Sequence, residues 1–251
     1  MSVKQLLLLS NSQNVGQRYL EHAEQSIKDV LASKVETVLF IPLARVFDTL
    51  DEFAAKVRTA FSAMGYGLNS IHQASDPIAA VRNAQAYVVG GGNTFYLLTN
   101  LYRMGVLEEL RSRVEAGVPY IGWSAGANIT CPTIGTTNDM PIVQPPSLNA
   151  LELVPFQINP HYLDHVVKGE EHIESRDDRI NEFIEVNPGR FVVGLRDGSL
   201  LRIENSTIKL IGANGARVFL KGRQATDYGA DESVQFLLTE MHSRSKVRSS
   251  L

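Results

Sequence analysis

The stretch VPYIGWSAGAN, Val118 to Asn128, decides the fold: a short apolar run breaks into a glycine-flanked turn, and small helix-compatible residues follow. A run of this kind, with no polar alternation, reads as a strand covered on both faces. AYVV at Ala86–Val89 repeats the pattern and runs into Gly90-Gly91-Gly92-Asn93. Gln5–Leu9 and Thr37–Ile41 are strands of the same type, and Gly67–Ile71 is a weaker one. Helix-period segments lie between them. Gly16–Leu31 is one. In the next, Leu50, Phe53, Ala54, Val57, Phe61 and Met64 share a face, with Asp48 as the expected cap and Gly65 as the stop. Asp76–Asn83, Thr94–Leu101 and Val106–Ala116 complete the set. Doubly covered strands alternating with helices predict an α/β fold with a mostly parallel sheet flanked by helices.

After Pro188 the pattern changes. Phe191–Leu195, Leu200–Glu204, Thr207–Ile211 and Ala216–Leu220 are short strands separated by Asp197-Gly198, Asn205-Ser206 and Asn214-Gly215. These dipeptides are hairpin signals, so antiparallel C-terminal strands are expected. Ser233–Met241 reads as a last helix and His242–Leu251 as a flexible basic tail. With no linker and no internal repeat, residues 1–241 are expected to form a single domain.

Composition narrows the function. The 251 residues are 44% hydrophobic and 20% charged, which excludes a disordered chain. A formal net charge of −3 argues against nucleic acid as a partner, since phosphate binding wants a basic face. Four leucines near the start are too few for a secretory signal, and the longest charge-free run, Ala116–Asn138, holds four glycines and two prolines, so no membrane span is expected. The sequons at Asn128 and Asn205 carry little weight in such a chain, and the terminal Ser-Ser-Leu lacks the basic residue of a peroxisomal signal. A cytoplasmic protein is expected. The single cysteine, Cys131, permits no internal disulfide and no cysteine metal cluster, and reads as a buried small apolar residue. Between Ala116 and Leu163, 48 residues, only Asp139 and Glu152 carry charge. The average composition predicts roughly ten.

Gly122-Trp123-Ser124-Ala125-Gly126 fits G-x-S-x-G, and it sits between strand and helix as a nucleophile elbow requires. The sharp turn pushes the hydroxyl of Ser124 into the cleft at the strand ends, and the following helix aims its first N–H groups there. In the glycine run, Gly90-x-Gly92 lacks the third glycine of a dinucleotide fingerprint, and no Gly-Lys-Ser/Thr follows, which excludes a P-loop. An oxyanion hole is the better reading, with an N–H of Gly92 or Gly91 joining that of Ala125; the alternative is a tight turn without chemistry. A serine nucleophile needs a base. Of six histidines, His22, His72, His161, His165, His172 and His242, His161 stands out because it follows a short apolar strand inside the charge-poor stretch.

LLLLSNS near the start, FIPLA at Phe40–Ala44, VGGGNTF at Val89–Phe95, the segment Ile121–Val143 and QINPHY at Gln157–Tyr162 together resemble the peptidase E family. The resemblance runs from the first strand to about Leu201. It implies a class I glutamine-amidotransferase-like α/β fold and a serine exopeptidase that cleaves dipeptides with amino-terminal aspartate (Asp-X). It implies Ser124 as nucleophile and His161 as base, with no metal and no cofactor. The family acid is a glutamate in a Pro-Glu-Gly turn, and here Asp197-Gly198 stands in that place. Aspartate is one methylene shorter, so either the turn sits closer to His161 or another carboxylate serves. The rival reading of Asp197-Gly198 is an ordinary hairpin turn.

By the same resemblance, Glu174-Ser175-Arg176 supplies the arginine for the substrate carboxylate, with Arg179 as the rival on the same helix face. Asp139 is a second substrate-site candidate, or a brace, and Asn93 a third. The expected partner is a small Asp-X peptide, and the expected assembly a monomer or homodimer. Two other readings remain open: a cyanophycinase-like hydrolase of aspartyl linkages in a polymer, and a binding protein that kept the fold and lost turnover.

Overall fold

The computed structural model describes residues 4–164, 174–230 and 232–239. The tail 242–251 and three of the histidines considered above, His165, His172 and His242, lie outside the described residues.

Strand β1 (Gln5–Leu9) shows why the sheet is layered. Successive side chains of a strand point to opposite faces. Leu6 and Leu8 enter one core, while Leu7 and Leu9 enter a second. After α1 (Glu24–Leu31), β2 (Thr37–Ile41) does the same, with Leu39 and Ile41 on one side and Val38 and Phe40 on the other. Helix α2 (Leu50–Ala63) buries Phe53, Ala54, Val57 and Phe61. Then come β3 (Gly67–Ser70), α3 (Pro77–Asn83), β4 (Tyr87–Val89), α4 (Thr94–Arg103), α5 (Leu107–Glu115), β5 (Tyr120–Trp123) and the single turn α6 (Ala125–Asn128).

The later half contains β6 (Gln157–Tyr162), α7 (Arg176–Val186), β7 (Val192–Arg196), β8 (Leu200–Glu204), β9 (Thr207–Ile211), β10 (Ala216–Phe219), β11 (Thr226–Tyr228) and α8 (Phe236–Thr239). Two sheets result. The seven-stranded sheet has the order β3-β2-β4-β5-β1-β8-β9, parallel from β3 to β1, with β8 and β9 antiparallel. The four-stranded sheet has the order β11-β10-β7-β6, in which only β6 and β7 run parallel. Among the described residues no helix is long and apolar enough to cross a membrane.

The mostly parallel α/β architecture agrees with the sequence reading, and several details differ. The first helix starts at Glu24 rather than Gly16, after a 3-10 turn at Glu21–Ala23, because buried Leu20 adopts left-handed backbone with φ 60. Thr49, not Asp48, caps α2: its hydroxyl accepts the Glu52 N–H while the Glu52 carboxylate answers in a capping box. Asp48 pairs instead with Arg45. Of the three hairpin signals, only Asn205-Ser206 joins paired strands, β8 and β9. Asp197-Gly198 and Asn214-Gly215 carry the chain from one sheet to the other. Strand β11 was not anticipated, and the last helix spans Phe236–Thr239 within the expected segment, of which 240–241 lie outside the described residues.

This division of strands positions the site. The carboxyl ends of β1, β2, β4 and β5 deliver Ser10, Ala44, the glycine run and Ser124 to one edge of the large sheet. Strand β6 and the crossing from β7 to β8 meet that edge from the second sheet.

Candidate active site

Ser124 has φ 54 and ψ −115, a conformation an L-residue adopts only when its surroundings impose it. Two glycines do so. A Cβ on Gly122 would stand 2.3 Å from the Gly126 carbonyl oxygen, and one on Gly126 would stand 2.2 Å from that of Val89. The elbow therefore closes only with glycine at both places. The Ser124 N–H donates to the Leu9 carbonyl at 3.1 Å, tying the turn to β1. Helix α6 is one turn long, so its dipole is small. What it offers is Ala125, whose N–H belongs to the first turn and has no intrahelical acceptor.

His161 lies within β6, not after it. The register to β7 shifts between Pro160 and Tyr162, leaving His161 as the extra residue of a bulge with φ 54. A bulge re-aims its side chain. Here the imidazole Nε2 comes 3.0 Å from Ser124 Oγ, and Nδ1 comes 2.8 Å from Asp197 Oδ1. The shorter acid thus reaches the ring because the chain crosses between sheets at that point. The hairpin reading of Asp197-Gly198 does not hold. Arg196 anchors the crossing through Asp164 at 2.5 Å and through Asp227. Burial pushes the Asp197 carboxyl up, but the His161 imidazole and the Ser10 hydroxyl together hold it below its ordinary value.

Ser10 was missed by the sequence reading. Fully buried, it accepts the His161 N–H at 2.8 Å, and its one proton serves Asp197 Oδ1 at 2.9 Å or the Leu195 carbonyl at 2.8 Å. The only available signal was a hydroxyl ending an apolar strand, in LLLLSNS. The glycine run packs beside the serine: a Cβ on Gly91 would lie 3.0 Å from Ser124 Cβ. Gly92, at φ 143, passes so close to Ala44 that a Cβ would stand 2.2 Å from its carbonyl oxygen.

The remaining candidates fall into two groups. Asn93 and Asp139 brace α4. The Asn93 side chain accepts the Tyr96 N–H at 3.0 Å and donates to the Met140 carbonyl at 2.8 Å. Asp139 accepts from Thr94 N at 2.7 Å, Thr94 Oγ1 at 2.6 Å and Thr137 Oγ1 at 3.0 Å. Arg176 and Arg179, by contrast, differ in availability. Arg179 is exposed and pairs with Glu174 at 3.1 Å. Arg176 is half-buried, and its Nη1 donates to the neutral Asn138 Oδ1 at 2.6 Å. Burial and the neighbouring Arg179 charge lower its pKa, while Asp139 acts the other way. Among the described residues no three His, Cys, Asp or Glu side chains gather into a metal-binding group.

Fold and site together define a class: an α/β protein with hydroxyl, imidazole and carboxylate in line at the carboxyl edge of a parallel sheet. The family model of peptidase family S51 matches residues 6–211, so the chain belongs to that family and is a peptidase. It is 46% identical to a peptidase E of Nostoc sp. over 94% of this chain and 97% of that one. To the peptidase E of Salmonella typhimurium (strain LT2) it is 43% identical, over 88% of this chain and 96% of the relative. Among solved structures, a peptidase from an acI-B1 actinobacterium superposes with TM-score 0.69 at 17% identity, covering 93% of this chain and 97% of that one, which supports the fold.

Proposed function

We propose that this chain is a serine exopeptidase that hydrolyses Asp-X dipeptides through Ser124, His161 and Asp197. The observation that carries the reading is the unbroken line from Ser124 Oγ to His161 Nε2, 3.0 Å, and from His161 Nδ1 to Asp197 Oδ1, 2.8 Å. In this mechanism His161 takes the Ser124 proton as the oxygen attacks the carbonyl of the amino-terminal aspartate. Asp197 holds the imidazole in the tautomer with Nδ1 protonated and stabilises the cation that forms. N–H groups of Ala125 and Gly92 receive the oxyanion. The C–N bond breaks, His161 protonates the leaving amine, and the second residue departs. Water then attacks the acyl-enzyme, His161 accepts its proton, and free aspartate leaves as Ser124 regains its hydrogen.

Arg176 receives the aspartate side chain. A guanidinium binds a carboxylate through two parallel hydrogen bonds, and among the described residues no carboxylate forms an ion pair with Arg176, whereas Arg179 is engaged by Glu174. The test is hydrolysis of Asp-Leu by the purified protein, with Ser124→Ala expected to lower kcat by ~10⁶. Retained turnover in that variant refutes the mechanism.

A further inference from the structure

Among the described residues four carboxylates stand near Arg176 in sequence or in space, and each makes its hydrogen bonds and ion pairs elsewhere. Glu174 pairs with Arg179 at 3.1 Å. Asp177 accepts the Tyr162 hydroxyl and faces Arg217 at 3.7 Å. Asp178 closes a capping box with Ser175, and Asp139 holds Thr94 and Thr137. Among the described residues, the side chain that hydrogen-bonds the guanidinium is the uncharged amide of Asn138.

That amide is fully determined. Its Oδ1 accepts from Arg176 Nη1 at 2.6 Å and from Asn159 Nδ2 at 2.7 Å, using both lone pairs. Its Nδ2 donates to the Pro160 carbonyl at 2.7 Å. Turning the amide over would set donors against donors and oxygen against oxygen. Asn159 is buried in β6 and also donates to the Thr136 carbonyl at 2.8 Å, so the oxygen that meets Arg176 is fixed to the frame of β6. Pro160 immediately precedes the bulge residue His161.

We propose that Asn138 is the positioning residue for aspartate selectivity: it aims Arg176 from the strand that carries His161 without neutralising its charge. The proposal rests on the reading of Arg176 as the receptor of the substrate carboxylate. A carboxylate at position 138 would have nearly the same shape, but it would pair with Arg176 and compete with the substrate. It would also set an oxygen against the Pro160 carbonyl. A neutral amide is the side chain that orients a guanidinium and leaves it free to bind an anion. Asp139, one residue on, is turned to α4 and does not take this place.

The experiment is titration calorimetry of Asp-Leu and its neutral analogue Asn-Leu against Ser124→Ala protein, which binds without turnover. Asn138→Asp on that background is expected to weaken Asp-Leu about 10- to 100-fold and to change Asn-Leu by less than about threefold. Displacement of Pro160 and His161 alone would weaken both dipeptides alike, so the ratio of the two affinities separates selectivity from general damage. Asn138→Ser, which adds no charge and loses the oxygen that aims Arg176, is expected to lower the ratio by about three- to tenfold; it serves if the aspartate variant does not fold. An unchanged ratio in a folded variant overturns the role of Asn138 and leaves Arg176 standing. Equal binding of the two dipeptides by the Ser124→Ala protein itself overturns both.

Discussion

Replacing Ser10 by alanine isolates the element that joins the two sheets at the site. The hydroxyl is fully buried at the end of β1, where it accepts the His161 N–H at 2.8 Å. Its proton satisfies either Asp197 or Leu195, each within 2.9 Å. Alanine leaves the His161 N–H unpaired, at a cost of about 1–3 kcal/mol. The Asp197 side chain is 47% exposed, so water replaces the lost donor there and adds little to that cost. For a chain of this size each kcal/mol moves Tm by roughly 2–4 °C, which gives an expected drop of about 2–12 °C. The effect on rate follows from geometry. His161 holds φ 54 with its Nε2 3.0 Å from Ser124 Oγ, and the lost anchor lets the bulge relax. A misplacement of about 1 Å costs on the order of 10²-fold, so kcat should fall about 10- to 100-fold. KM for Asp-Leu should stay nearly constant, because a buried Ser10 touches no substrate. Thermal unfolding and steady-state hydrolysis of Asp-Leu read both effects. Wild-type Tm together with wild-type kcat would refute the reasoning.

Asp197→Asn keeps the shape but offers an amide to Nδ1, favouring the wrong tautomer; kcat for Asp-Leu should drop by about 10⁴ with the fold intact by circular dichroism. Arg176→Ala should cost about 2–5 kcal/mol in kcat/KM for Asp-X substrates, with Arg176→Lys intermediate because it keeps charge and loses the fork; unchanged selectivity in Arg176→Ala would remove the arginine from the site. Stability should fall with acid in two stages. Burial holds the His22 pKa below its ordinary value, against the pull of Asp197, so the unfolded chain takes up the proton first and stability declines as pH falls through about 6.5. The lowered Asp197 carboxyl contributes stability above about pH 3.9 that is lost on further acidification. Tm measured from pH 8 to 3 should show both limbs, and His22→Gln should remove the upper one.

What could be read from the sequence follows from how local each signal is. The doubly covered strands and the elbow are local patterns, and they appear where expected, with β8 and β9 matching residue for residue. Sheet membership is not local. Asn205-Ser206 and Asp197-Gly198 both place a residue at positive φ, 58 at Asn205 and 81 at Gly198, yet one closes a hairpin and the other crosses between sheets. Pairing partners far along the chain decide which. The α2 cap was ambiguous for the same reason: Asp48 with Asp51 and Thr49 with Glu52 both have capping-box spacing, and only the pairing of Asp48 with Arg45 settles it. Ser10 and Asn138 were invisible because their importance lies in partners from 21 to 187 residues away.

Those distant partners explain how the site keeps its geometry. Six non-glycine residues among those described have positive φ, and two of them are Ser124 and His161. Each such residue costs on the order of 1–3 kcal/mol, and an unrestrained elbow or bulge would relax away from the line. Both strained residues are held in the same way. The Ser124 N–H donates to the Leu9 carbonyl and the His161 N–H to Ser10 Oγ, so consecutive positions at the end of β1 grip them both. The elbow belongs to the large sheet and the bulge to the small one. Their separation is therefore set by one short piece of β1, whose four preceding leucines are buried in the two cores. Strand β1 lies inside the large sheet, paired parallel with β5 on one side and antiparallel with β8 on the other, and so is held along both edges. Placing both anchors there transfers its rigidity to the distance between hydroxyl and imidazole, which is the distance the proposed chemistry depends on.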